Sequence, residues 1–434
     1  MSDGGMPPAS EARSGGAMAA YTVFLLFAAN ILNYADRALL GIVVDPVKAD
    51  LALTDTQISI VSGTAFVLFN LVVGIFIARW VDRGNRKRIL LCGIALWSAA
   101  TAATALAQGF WSLGLTRVLV GVGEATCFPV AMSMIADLFV PERRPRTISV
   151  FYSSTFIGII AGSILAGVLA AHHGWRTMFA ICGSAGFIAV AVMLVTMREP
   201  RRTSDGSIAI ADANPGNMAQ ALGALLRLPG FKALSLGAAL AAMGVSVLPV
   251  WAPAFLLRSH GVSLADVGAL IGPAVGLGGI SGSVLMGVMA TWIARKRGGE
   301  LHGLLVPVFA LPIVAPLYAL FLLSSSLSVA LLSVGAINFL LASAMGPCIA
   351  VAVGVALPSM RAVASTLVLV ASGVIGGAIA PLLVGALSDA LAPSMGAESL
   401  RYALAPLAVS PLVASLFLWM SYRQVRGAMA AQPE

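Results

Sequence analysis

Residues 78–88, Ala78-Arg79-Trp80-Val81-Asp82-Arg83-Gly84-Asn85-Arg86-Lys87-Arg88, stand between two apolar runs, 58–78 and 89–107. Each run is close to the 20 residues that a helix needs to cross a hydrocarbon core of about 30 Å. Five bases in so short a connection, with nothing apolar to bury, read as a membrane loop on the basic-rich side. Working outward, such runs recur at 19–44, 110–139, 148–171 and 175–197, and then at 231–257, 267–293, 304–323, 327–357, 363–387 and 402–420. That makes twelve spans. Backbone groups in lipid must be satisfied within the segment, and no ten-residue alternating pattern of a barrel is present, so the spans are expected to be helices.

Composition agrees. Of 434 residues, 59% are apolar and only 10% are Asp, Glu, Lys or Arg, against roughly 25% charged in soluble domains. Too few charges remain to cover a soluble surface, which excludes a disordered chain, a disulfide scaffold and a nucleic-acid binder. The net charge of +8 would suggest nucleic acid in a soluble protein. Here it follows from topology. With both termini in the cytoplasm, 20 of the 26 Lys and Arg fall on the cytoplasmic side, four (Lys48, Arg176, Arg258, Arg401) on the other, and Arg37 and Arg117 within spans. No nucleic-acid partner is expected, and the bilayer is the solvent.

The polar stretch 198–230 divides the chain into two sets of six spans, 19–197 and 231–423, flanked by tails at 1–18 and 424–434. The first tail, rich in Gly, Ser, Pro and Ala, reads as a flexible cytoplasmic segment rather than a cleaved leader. Two six-helix halves are the layout of many secondary carriers, with the substrate site between halves near the midplane. No G-x-x-x-x-G-K-[ST] phosphate loop occurs, so no ATPase of that kind is expected. Cys92, Cys127, Cys182 and Cys348 each sit alone in an apolar run, as small core residues do. The four histidines lie at span ends or loops with no acid and nucleophile beside them, so neither catalysis nor a metal or other cofactor is expected. Gly158-x-x-x-Gly162, Gly278-x-x-x-Gly282 and Gly373-x-x-x-Gly377 read as close helix packing.

Charges inside spans carry the functional signal. Each costs about 2.5–3.5 kcal/mol on insertion scales, and Asp36, Arg37, Arg117 and Glu124 together burden the fold by on the order of 10 kcal/mol. At 1.5 Å per residue they lie about 10–20 Å in from the outer ends of their spans, and Arg117 and Glu124, seven apart, share one helix face. Two acids and two bases in one slab can neutralise each other, and a carboxylate there can exchange protons as its surroundings alternate. From Phe231 to Met420 every charge sits near a span end, and Asn338 is among the few strongly polar groups deep in a run. A cavity between the halves would have one charged wall and one nearly apolar wall. That suits an amphiphile with an anionic head better than a sugar.

The loop from Ala78 to Lys87 resembles the major facilitator superfamily motif G-x-x-x-D-R-x-G-R-K, with Ala78 and Asn85 in place of its glycines. Leu113-x-x-x-Arg117-x-x-x-Gly121-x-Gly123 resembles that superfamily's second motif, and the loop after span 8, from Gly287 to Arg297, is a degenerate repeat with Thr291 where the aspartate would stand. A narrower resemblance runs through Asn33-Tyr34-Ala35-Asp36-Arg37, Gly121-Val122-Gly123-Glu124-Ala125, Ile135-Ala136-Asp137-Leu138-Phe139 before Arg143-Arg144, Arg198-Glu199-Pro200 and Leu400-Arg401-Tyr402-Ala403-Leu404. This set resembles the Spinster-like family, whose members are implicated in moving lysophospholipids and sphingosine phosphate. The Asn-Tyr-x-Asp-Arg and Arg…Glu pieces also occur in organic-anion:proton symporters.

The resemblance implies a major facilitator fold of twelve transmembrane helices that works by alternating access. Asp36 and Glu124 would then carry the proton, and Arg37 and Arg117, with Asn33, Tyr34 and Asn338, would hold the substrate. Asp82, Arg83, Arg86 and Lys87 are expected to meet Asp137, Arg143 and Arg146 in a cytoplasmic gate. In that superfamily such a network latches the halves together in the outward-open state. The expected partners are an amphiphilic or organic-anion substrate and protons, with the chain working as a monomer in a bacterial inner membrane.

Overall fold

The structure, a computed structural model, describes residues 9–140, 143–200, 202, 218–357 and 360–430. Residues 1–8 of the expected first tail, most of the connecting stretch and the last four residues lie outside that range. The first half comprises α1 (Ala9–Ile42), α2 (Val44–Asp50), α3 (Asp55–Ser59), α4 (Phe66–Arg83), α5 (Arg86–Thr104), α6 (Phe110–Glu124), α7 (Cys127–Leu138) and α8 (Arg144–Thr196). After α9 (Met218–Arg227), the second half runs through α10 (Phe231–His260), α11 (Leu264–Arg297), α12 (Leu305–Leu323), α13 (Leu327–Leu341), α14 (Met345–Val355), α15 (Arg361–Ser372), α16 (Ala380–Met395), α17 (Ser399–Leu404) and α18 (Val409–Ala430).

Nine stretches among the described residues are long and apolar enough to cross a membrane. Two of them, Arg146–Thr196 and Val363–Ala430, cover two crossings each, the first turning at Gly174, whose φ of 77° favours glycine. With α5, whose first three residues are basic, the crossings number twelve, six to each half.

Two features of the helices matter for the site. The crossings at 110–139 and 327–357 each carry a short irregularity, where α6 passes to α7 after Glu124 and α13 to α14 after Leu341, while Ala125, Thr126, Ala342 and Ala344 keep right-handed helical angles. The two irregularities fall at corresponding places in the two halves. The second and eleventh crossings each contain a π turn, Ile60–Ala65 and Gly373–Ile379. The two π turns face each other across the halves, where the Thr64 hydroxyl donates to the Ala378 carbonyl at 2.8 Å. The Gly373–Gly377 pair, expected to pack two α-helices, therefore belongs to a π turn seated on Val67 and Leu71.

The halves are held together at the end distant from the termini. There α8 lies on α11 with Gly167 against Gly268, where a Cβ on Gly167 would come within 2.9 Å of the Gly268 Cα. The carboxylate of Asp389, from the second half, accepts from the backbone N–H groups of Asp55 and Thr56 at 2.9 and 2.7 Å, capping α3 of the first half. Arg258 of the second half reaches Asp45 at 2.6 Å and Asp55 at 2.9 Å, while Lys48 and Ser388 hold the same Asp55 at 2.6 and 2.7 Å. The Ser59 hydroxyl donates to the Pro381 carbonyl at 2.7 Å.

At the other end the opening loop takes its shape from one residue. Asn85, which replaces the motif's second glycine, is the N-cap of α5, and its side-chain oxygen accepts from the Arg88 N–H at 2.8 Å. Asparagine is among the best N-caps, so the departure from the motif strengthens the start of that helix.

Candidate functional site

The four charges read from the sequence converge in the first half, but not as one quartet. Residues 36 and 37 are adjacent on α1, so their side chains diverge by about 100°. Arg37 points to the fourth crossing, where its Nε donates to Glu124 Oε2 at 2.6 Å. The carboxylate is fully enclosed, whereas a third of the Arg37 side chain is exposed. The Arg37 guanidinium also sits 4.8 Å from the Tyr34 ring centroid and 5.0 Å from that of Phe66. Asp36 turns the other way, into the body of the first half, where the Thr101 hydroxyl donates to its Oδ2 at 2.6 Å. Arg117 lies 5.8 Å from the Phe66 ring and acts electrostatically on both Asp36 and Glu124.

The stretch that presents Glu124 is built by close packing and polar support. A Cβ on Gly123 would meet the backbone of α5 at Gly93 and Trp97 within 2.7–2.8 Å, so only glycine lets the two helices approach this closely. The Asn70 amide donates to the Gly121 carbonyl at 3.0 Å and the Thr126 hydroxyl to that of Gly123 at 2.8 Å, each adding a second donor to a carbonyl that already accepts a backbone N–H at 3.2 Å.

Several buried polar atoms of the cluster have no hydrogen-bond partner among the described residues: Arg117 Nε and Nη1, Asp36 Oδ1, Glu124 Oε1 and Asn33 Nδ2. Arg117 is 2% exposed. A guanidinium cannot shed its charge, and a buried donor without an acceptor costs about 1–3 kcal/mol, more when charged. The cluster thus holds donor nitrogens and acceptor oxygens that no hydrogen bond among the described residues takes up.

The remaining expected site residues are placed as follows. Asn338 is buried in α13 and its Nδ2 donates to the Val334 carbonyl one turn back at 2.9 Å, so its amide serves its own helix. Of the expected gate residues, Arg86 is fully buried and binds Asp137, Glu199 (2.7 Å) and the Pro200 carbonyl (2.8 Å), all from the first half and its trailing segment. Lys87 donates from its backbone to Glu199 at 2.7 Å. Arg202 binds the carbonyls of Val81, Asp82 and Gly84. The Asp82 carboxylate, Arg83, Arg143 and Arg146 are exposed, and none of these four side chains joins the Arg86 cluster. Sequence reasoning missed Phe66, Thr101 and Asn70, whose polar or aromatic character is ordinary within a span. It also missed the Arg258–Asp45–Asp55 ties, whose members look like loop charges.

The model of the Major Facilitator Superfamily matches residues 26–381, and the chain belongs to that superfamily. It is a Spinster-like transporter within it. It is 32% identical over 397 residues to an MFS-type efflux pump of Mycolicibacterium smegmatis, covering 91% of this chain and 90% of that protein. It is 30% identical over 403 residues to protein spinster homolog 1 of Xenopus tropicalis, with 88% and 76% covered. A probable galactarate/D-glucarate transporter of Bacillus subtilis is 27% identical over 317 residues, 67% of this chain and 68% of that one. Among solved structures, a bacterial homologue of the human lysosomal transporter Spinster, in an inward-facing and unoccupied conformation, superposes with a TM-score of 0.81 at 26% identity, covering 94% of this chain and 98% of that one.

Proposed function

We propose that this chain is a proton-coupled carrier of anionic amphiphiles, moving a lysophospholipid-like molecule by alternating access across a bacterial inner membrane. The observation that carries this reading is Arg117, a buried permanent cation with two N–H groups open to an acceptor. An anionic head docks there, steadied by Arg37, Tyr34 and Asn33. Glu124 and Asp36 take up and release the proton. When Glu124 is neutralised its hold on Arg37 weakens, and Arg37 becomes free for the substrate. Asn338 gives one amide N–H to Val334 and is among the few strongly polar groups deep in the spans of the second half, so that wall stays nearly apolar, which suits a tail better than a polyhydroxyl body. With both termini cytoplasmic, the ties through Arg258 and Asp389 close the outer side. Asp82, Arg83, Arg143 and Arg146 then form the gate on the inner side with the Arg86 cluster when the carrier turns over, in a single chain.

A chain-length series of alkyl phosphates, bound in one fixed detergent, tests the substrate class. Each buried methylene is worth about 0.8 kcal/mol, so four extra methylenes should tighten binding on the order of a hundredfold. Arg117→Ala should weaken every member by a similar factor and keep the slope. The second reading, symport of small organic anions, draws on the likeness to the galactarate/D-glucarate transporter. It takes over if affinity is flat with chain length while glucarate binds.

A further inference from the structure

A crevice of about 70 Å³, its mouth open at the protein surface, runs into the first half between α1, α5 and the two limbs of α8. It is lined by Asp36, Trp97, Thr101, Leu165, Ala185 and Gly186 among others. Asp36 is the one ionisable carboxylate among its lining residues. Asp36 is 6% exposed, and its Oδ1 accepts no hydrogen bond among the described residues, while Thr101 occupies Oδ2. Arg117 and Arg37 act on Asp36 through space, yet Arg37 spends its Nε on Glu124, and neither is a hydrogen-bond donor to Asp36. The rim is formed by Leu165, which is 46% exposed. Counted from the turn at Gly174, nine residues at 1.5 Å place it roughly 14 Å into a hydrocarbon core of about 30 Å. The crevice therefore opens towards acyl chains, not towards water.

A buried carboxylate oxygen lacking a donor, an indole wall and an apolar mouth at mid-bilayer depth define a complementary ligand. It needs an N–H donor with positive charge, a cationic group that can lie on an aromatic face, and an apolar body that reaches the site through lipid. We infer that this crevice is a second binding site, separate from the cavity between the halves, for the protonated amine of a lipophilic cation. Gly183 and Gly186 let the second limb of α8 lie directly on α5 beside the crevice. A Cβ on Gly186 would run into the Ser98 hydroxyl, and one on Gly183 into the backbone of Ala102. Because the same carboxylate would carry a proton in the reading above, a bound amine and a proton exclude each other there.

The test uses the full chain in one detergent, with monodansylcadaverine, which has a free primary amine, and its N-acetyl derivative. Trp97 serves as the energy donor, identified by the loss of transfer in Trp97→Phe. The amine should bind at least tenfold more tightly than the acetylated probe. Asp36→Asn should erase that difference. Ala185→Phe and Leu165→Trp, placed at the rim where they disturb little packing, should each lower amine affinity at least tenfold. These rim variants should bind alkyl phosphates as the parent chain does, so a failure of the anion-carrier reading is told apart from a failure of this one. Equal binding of the two probes, or undiminished amine binding in both rim variants, overturns the inference.

Discussion

Arg258→Gln should release the end of the carrier distant from its termini, the outer side on the proposed orientation. Arg258 donates from Nε and Nη2 to Asp45 at 3.0 and 2.6 Å, and from Nη1 and Nη2 to Asp55 at 2.9 and 3.0 Å, all across the halves. A hydrogen bond to a charged group contributes about 1.5–3 kcal/mol. The sum must be discounted here, because Arg258 is 16% and Asp45 26% exposed and solvent screens both. Asp55, 3% exposed, keeps Lys48 and Ser388 when Arg258 is removed. A net loss of about 2 kcal/mol remains, roughly a thirtyfold shift in the ratio of outer-closed to outer-open molecules.

Asp389→Asn removes the charge at the α3 N-terminus, worth about 0.3–1 kcal/mol, and turns one of two accepting oxygens into an amide nitrogen that cannot accept from Asp55 or Thr56, worth about 0.5 kcal/mol more, so its shift should be about five- to tenfold. Spin labels at Ala49 and Ala392, both exposed, in a background lacking the four native cysteines, would report the outer separation by pulsed dipolar spectroscopy. The long-distance population should rise in the order parent, Asp389→Asn, Arg258→Gln. Raising salt from 0.1 to 1 M shortens the screening length from about 10 to 3 Å and should narrow the gap between parent and Arg258→Gln. An unchanged distance distribution in Arg258→Gln, or a larger effect from Asp389→Asn, refutes the reasoning.

Two other outcomes follow from the geometry. Glu124→Gln keeps the volume of the buried group but cannot gain or lose a proton, so uptake driven by a proton gradient in proteoliposomes should vanish while thermal stability stays near that of the parent. Gradient-driven uptake with the parent's pH profile would remove Glu124 from the coupling step. Asn85→Ala should cost about 1 kcal/mol through loss of the α5 N-cap, whereas Asn85→Gly, which restores the superfamily's residue, should cost only a few tenths, as read from denaturation of the purified chain.

The fold was legible because the bilayer leaves few choices. Apolar runs of spanning length, a lopsided distribution of Lys and Arg and two loop motifs specify twelve helices without any knowledge of packing. The charged site was half legible. Asp36, Arg37, Arg117 and Glu124 announce themselves by cost, since each is expensive in lipid whatever surrounds it. Which acid meets which base was not legible, because that depends on how α1 is rotated against α6, and a rotation leaves no trace in composition. The irregularities after Glu124 and Leu341 were hidden for a related reason. The apolar run continues through both, and Gly121 and Gly123 read equally well as packing residues. The outer ties were invisible because Asp45, Asp55, Arg258 and Asp389 lie at span ends, where any loop may carry charge.

The unpaired atoms of the cluster carry the last step of the argument. Two acids and two bases are available, and the arrangement of lowest apparent cost would join them as two closed pairs. Only Arg37 and Glu124 close. Asp36 makes no hydrogen bond to Arg117, leaving a carboxylate oxygen and two guanidinium nitrogens buried without a hydrogen-bond partner among the described residues. A core selected for stability alone would replace such groups with apolar ones, since even well-made buried ion pairs are often no more stable than a hydrophobic substitute. Local rules of packing are broken at functional sites and the loss is borne elsewhere in the structure. Here it is borne by the interlocked outer face, where Asp389, Arg258, Ser59 and Thr64 tie the halves together and hold the open cluster in place. On the proposed reading, Arg117 then stays vacant for an anion and Asp36 for a cation or proton at once, which a neutral closed quartet would not allow.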